Sequence, residues 1–170
     1  MSQPSITFGP RANQAVVSVH TISVLTEILA NAKLASCMIT STSRTPADQA
    51  RIMFQNIVSK GVAAQMQLYR PPGQAVIREF QSAKAAGKND AGVMAAMEAK
   101  IIALGPMTVS HHCADPSKLN VVDVAPSSVA NGANFVSAVQ SAIKAGKVSK
   151  LLTPGNNDPA FHIEIPQPAA

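Results

Sequence analysis

Along the chain the spacing of apolar and polar positions switches several times between helical and strand-like, and each switch marks an element. Val19, Ile22, Leu25, Ile28 and Leu29 recur at helical spacing and predict a first helix, with His20 off the stripe and facing solvent. SCMITST (36–42) is short and β-leaning, a buried strand. SRTPADQARIMFQNIVSKG then predicts a second helix. Thr45 can cap it, Pro46 suits the first turn, Asp48 favours the N-terminal dipole and Gly61 ends it.

The middle of the chain is Ala-rich and helical. GQAVIREFQSAKAAGKND sets Val76, Ile77 and Phe80 on one stripe and stops near Gly87. NDAGVMAAMEAKIIALGP starts at an Asn-Asp cap and ends at Gly105-Pro106, while YRPPG (69–73) reads as a loop of polyproline character. MTVSHH and LNVVDVA read as two strands joined by CADPSK, whose Asp-Pro pair signals a turn. NGANFVSAVQSAIKAGK predicts the last helix. VSKLL and FHIEI are short strands with TPGNNDPA as a hairpin-like connection. Strands joined by short turns late in the chain imply an α+β fold, a mainly antiparallel sheet packed with helices. No repeat or linker divides the chain, so residues 1–170 are expected to form one domain, with 1–15 and 166–170 loose.

Composition narrows the classes. Only 4% of the chain is aromatic and there is no Trp, so Ala, Val, Ile, Leu and Met must build the core. Charged residues make up 14%, which makes any charge inside an apolar run informative. The net charge is +5, but Lys and Arg are scattered, without basic runs interleaved with aromatics; nucleic-acid binding is not expected. A mildly basic protein suits an acidic polymer surface such as a bacterial cell wall. No apolar run approaches the roughly 18 residues of a membrane span. The start MSQPSITFGPRANQ lacks the pattern of a secretory signal, so synthesis in a cytoplasm is expected. Cys37 and Cys113 make no disulfide framework, and Cys37 reads as a small buried hydrophobe.

Three candidate metal ligands sit on or beside predicted strands: one of His111 and His112, Asp123, and His162. Strand alternation sets Ser110 and His112 on one face and His111 on the other, so His112 is the ligand of choice. Asp123 lies among Val121, Val122, Val124 and Ala125; a carboxylate buried there unpaired costs several kcal/mol, roughly, and needs a cation or strong donors. Two imidazoles and one carboxylate leave the fourth position of tetrahedral zinc open to water, as in a catalytic site. Competing readings are a hydrogen-bonded core histidine and a turn-capping Asp123. Asp115 and Cys113 are rival ligands, though ADPS is a turn sequence and adjacent strand residues diverge.

These blocks resemble the zinc peptidases of bacterial cell-wall peptides, the D-alanyl-D-alanine carboxypeptidases and phage L-alanyl-D-glutamate endopeptidases, which share a Hedgehog-like fold. Ser43-Arg44-Thr45-Pro46 with Gln49 is similar to the family's Ser-x-Arg before a helix carrying Gln. Ser110-His111-His112 and Val121-Val122-Asp123-Val124 resemble its Ser-x-His and Asp block, and Phe161-His162-Ile163-Glu164 its last zinc histidine. The resemblance implies zinc on His112, Asp123 and His162, and substrate contacts from Arg44, Gln49 and Ser110. The family's catalytic acid stands three residues before the last zinc histidine, a position held here by Pro159. Asp158 is the first candidate for that role, Glu164 the second and His111 a third. The link from His112 to Asp123 is longer than the family's and lacks its glycine; a longer loop costs only about 0.6 kcal/mol per doubling of length.

The resemblance thus implies a monomeric zinc-dependent peptidoglycan peptidase, a phage lytic enzyme or a bacterial effector. It would reach the wall by release or by delivery machinery, with an immunity protein as a possible partner. The alternative is a non-catalytic wall-binding or phage structural module that keeps the fold.

Overall fold

The structure is a computed structural model and describes residues 3–156 and 158–169. Of the segments expected to be loose, 1–15 and 166–170, and of the 153–160 connection, only Met1, Ser2, Asn157 and Ala170 lie outside the described residues; within the rest Ser5–Phe8 forms a strand and Gln167 is hydrogen-bonded. The chain is α+β: seven helices and a five-stranded sheet among the described residues. It divides into two compact units, residues 1–43 with 115–170, and residues 44–114.

The first unit holds the sheet. Its strands are β1 (Ser5–Phe8), β2 (Ser36–Ser41), β3 (Leu119–Val124), β4 (Lys150–Leu152) and β5 (Phe161–Pro166), in the order β1-β2-β3-β5-β4. Three of its four pairings are antiparallel; β1 runs parallel to β2, so the antiparallel expectation holds only in part. That parallel strand comes from Ser5–Phe8, a stretch whose pattern predicted no element.

Helices α1 (Val19–Asn31) and α7 (Gly132–Lys144) pack on one face of the sheet, where Leu25, Ile28, Leu29, Phe135 and Val139 meet Ile39, Val122, Val124, Ile163 and Ile165. The α1 stripe begins later than its spacing predicts: Val19 is 87% exposed and Thr21 is fully buried. A polar knot fixes this end of the helix. Asn120 Oδ1 accepts from the Ser18 backbone N–H and from Thr21 Oγ1, each at 2.8 Å. The tail is held there too, because Gln167 Nε2 donates to Thr21 Oγ1.

The second unit is helical: α2 (Pro46–Lys60), α3 (Val62–Leu68), α4 (Pro71–Ala85), α5 (Asp90–Leu104) and the single turn α6 (Pro106–Val109). Met53, Phe54, Ile57, Val76, Ile77, Phe80, Met97 and Ile101 form its core, with Phe54 and Phe80 edge to face at 5.6 Å. Thr45 caps α2 by accepting from the Asp48 N–H, and Asn89 caps α5 through Gly92 N–H, as the sequence implies.

Two expectations change here. YRPPG is not a loop: Pro71 and Pro72 open α4, since a helix's first turn needs no proline N–H. Gly73 is required because a Cβ there would lie 2.5 Å from the Tyr69 ring. Nor is MTVSHH a strand. Gly105, at φ 86, ends α5, Pro106 restarts a turn, and Thr108 Oγ1 donates to the Leu104 and Gly105 carbonyls. A 3-10 turn at His111–Cys113 follows.

Candidate metal centre

Two neighbouring strands build most of the site. The β3–β5 register sets Asp123 directly opposite His162 and Val121 opposite Glu164. Alternation sends Val122, Val124, Phe161, Ile163 and Ile165 into the helix-covered core, which leaves Asp123, His162 and Glu164 on the other face. They are not solvated there. His162 is 7% exposed and Glu164 5%.

His162 lies between the two carboxylates. Its Nδ1 is 3.0 Å from Asp123 Oδ1, and its Nε2 is 3.2 Å from Glu164 Oε1. Burial by itself pulls the imidazole pKa down. The hydrogen bonds to Asp123 and Glu164, with the Asp123 and Asp158 charges, outweigh it and raise the value to about 9. At neutral pH His162 is therefore an imidazolium donating from both ring nitrogens. Lys150, opposite Glu164 on β4, brings its Nζ to 3.6 Å of the same Glu164 oxygen.

The second histidine comes from the 3-10 turn. His112 is 6% exposed and His111 is exposed, a division that strand alternation cannot supply because no strand is present. Consecutive residues of a 3-10 turn point about 120° apart, so one of an adjacent pair can be buried while the other is not. The His112 carbonyl accepts from the Arg44 N–H at 2.6 Å. Within the first unit Asp123 and His162 stand side by side, a carboxylate and an imidazole that could help to hold a metal ion, whereas His112 belongs to the second unit.

The rival ligands are accounted for otherwise. Asp115 is exposed, and its Oδ1 accepts from Ser117 N–H and Oγ, so it closes the turn that makes up the long link. Burial pushes the Cys113 thiol up to about 11, away from the thiolate form that binds metal. Cys37 is likewise pushed to about 11 by burial, which suits its reading as an inert core residue.

The remaining sequence candidates have separate surroundings. Arg44 Nη1 donates to Gln49 Oε1 at 3.0 Å, and the fully buried Gln49 donates through Nε2 to Tyr69 Oη at 3.4 Å. Ser110 is half-buried, and its carbonyl accepts from the Cys113 N–H. Asp158 lies in the turn before β5, where its Oδ1 accepts from the Ala160 N–H at 3.0 Å. Sequence reasoning missed Tyr69 and Lys150. Lys150 had a signal, a lone cation within the apolar VSKLL, directly across the hairpin from Glu164. Tyr69 had none beyond the proline loop that it did not form.

No helix among the described residues is long and apolar enough to cross a membrane. No family model, curated protein or solved structure matches the chain.

Proposed function

We propose that this chain is a zinc-dependent peptidase of bacterial peptidoglycan, cleaving a bond in the stem peptide or its cross-link. The observation that carries the reading is the pairing of Asp123 with His162 across β3 and β5, a carboxylate and an imidazole 3.0 Å apart, to which the resemblance adds His112 as the third ligand. The donor set fits the ion: three such ligands and one open position are the complement of catalytic zinc. A site that holds an imidazolium between two carboxylates is also built for positive charge. When bound, the zinc ion supplies a water of lowered pKa and an electrophilic contact for the scissile carbonyl.

The chain's own residues carry the rest of the assignment. Asp158 takes a proton from the attacking water and returns it to the leaving amine. Its place ahead of β5 and the electrostatic influence of its carboxylate on His162 favour it over Glu164, which is buried and bonded to His162. Arg44, braced by Gln49, binds the substrate carboxylate, and Ser110 contacts the peptide. The substrate class, a short peptide containing D-amino acids, rests on the resemblance of the Ser43–Gln49, Ser110–His112, Val121–Val124 and Phe161–Glu164 blocks. A monomer made in the cytoplasm and released or delivered to the wall, with or without an immunity partner, completes the proposal.

One observation favours a second reading. Pro159 stands where the family pattern has its acid, as expected of a wall-binding module that has lost catalysis. Zinc content and the release of peptides from purified cell walls, read by turbidity and mass spectrometry, separate the two. The peptidase should bind one zinc and release stem-peptide fragments. Full zinc occupancy with intact walls refutes the peptidase and leaves the module.

A further inference from the structure

The metal reading leaves Glu164 without a role, although it is one of the most deeply buried charged side chains of the chain. Its position on β5 is specific. It stands two residues from His162 on the same face, with its Oε1 at 3.2 Å from Nε2. Asp123, on the neighbouring strand, meets the ring at the other nitrogen, Nδ1. An imidazole offers a metal one lone pair, and the nitrogen that keeps its hydrogen must donate it to something. The Nδ1 side has Asp123, itself a member of the ligand group; the Nε2 side has Glu164, which is not.

We infer that Glu164 is a positioning residue: it accepts the Nε2–H of His162, fixes the ring's tautomer and rotation, and so turns Nδ1 toward the metal. The inference rests on the zinc reading and removes Glu164 from the candidates for the proton-transferring base. The chemistry is that of a carboxylate behind a metal-bound histidine, which holds the ligand in one orientation before the ion arrives. Lys150 completes the arrangement. Its ammonium approaches the same Glu164 oxygen from a partly exposed position and offsets the charge that the strand buries. The β4–β5 hairpin register sets Lys150 opposite Glu164, so the support is built into the sheet.

The test uses the full chain with zinc as the probe. Zinc affinity is measured by competition with a chromophoric chelator for the wild type, Asp123→Ala, Glu164→Gln and Glu164→Ala. Nitrogen NMR of the His162 ring in the zinc-loaded wild type reports which nitrogen carries the proton. The expected result is stoichiometric zinc in the wild type, lost in Asp123→Ala, with a hydrogen on Nε2 and the metal on Nδ1. Glu164→Ala should weaken zinc by about 10- to 100-fold. Glu164→Gln, which keeps an acceptor and nearly the same shape, should weaken it less. The inference is overturned, with the zinc reading intact, if Nε2 carries the metal or if Glu164→Ala binds zinc within twofold of the wild type. If the wild type binds no zinc, both fall together. Should Glu164→Ala fail to fold, the ring spectrum and Glu164→Gln still decide: a Glu164→Gln affinity equal to wild type together with metal on Nε2 refutes it.

Discussion

Raising the pH of the metal-free protein through 9 should remove a proton from His162 and, with it, a measurable part of the fold's stability. The folded pKa is about 9 against an ordinary 6.5. A pKa raised by folding contributes stability that is fully present below the unfolded value and is lost as pH rises through the folded one. The shift corresponds to about 3 kcal/mol near pH 6.5, about 1.4 kcal/mol at pH 8 and about 0.2 kcal/mol at pH 9.5. Urea unfolding in the presence of a chelator, at those three pH values, reads this directly, and imidazole NMR gives the midpoint at the same residue. Asp123→Asn is the matched comparison, because it removes one of the two carboxylates that hold the proton while other titrating groups stay common to both proteins. Wild type should lose roughly 3 kcal/mol between pH 6.5 and 9.5, and Asp123→Asn clearly less. Zinc should reverse the trend, since metal replaces the proton and its stabilisation grows as the proton leaves. A flat wild-type profile, or a His162 midpoint near 6.5, would refute the picture of an imidazolium held between Asp123 and Glu164.

Three further outcomes check the site and its frame. His112→Ala should abolish stoichiometric zinc binding while His111→Ala and Cys113→Ser retain most of it; loss in His111→Ala with retention in His112→Ala would exclude the assigned ligand set. Asp158→Asn should keep its zinc but slow peptide release by a factor on the order of 100, the usual worth of a positioned acid or base; an unchanged rate in single-turnover digestion removes Asp158 from that role. Gly73→Ala should destabilise the helical unit by about 1–3 kcal/mol in chemical unfolding, because the added methyl collides with the Tyr69 ring. Tyr69 also meets Gln49, so the same substitution should reduce substrate binding through Arg44, seen as a raised KM with little change in kcat.

What could be read in advance was what depends on short-range pattern. The caps at Thr45 and Asn89 act through side chains within three residues of the N–H groups they satisfy, and both were visible. The alternation of β3 and β5 was visible as well, and it already divides Asp123, His162 and Glu164 from the core-facing Val122, Val124, Ile163 and Ile165. The pairing itself was not visible. Asp123 meets His162 because of a register between strands separated by helix α7 and strand β4, and no local rule fixes that offset. MTVSHH misled for a different reason. Val109 and its neighbours favour a strand by propensity, but Gly105, Pro106 and the Thr108 hydroxyl together satisfy a helical turn, and local capping outweighed the weaker preference. The burial of His112 therefore has its cause in that turn and not in strand alternation. The β3–β5 register holds Asp123, His162 and Glu164 together, whereas His112 is carried on a short turn of its own. Substitutions in the Pro106–Cys113 stretch should accordingly alter metal affinity through His112 alone, leaving the Asp123–His162–Glu164 alignment as it is.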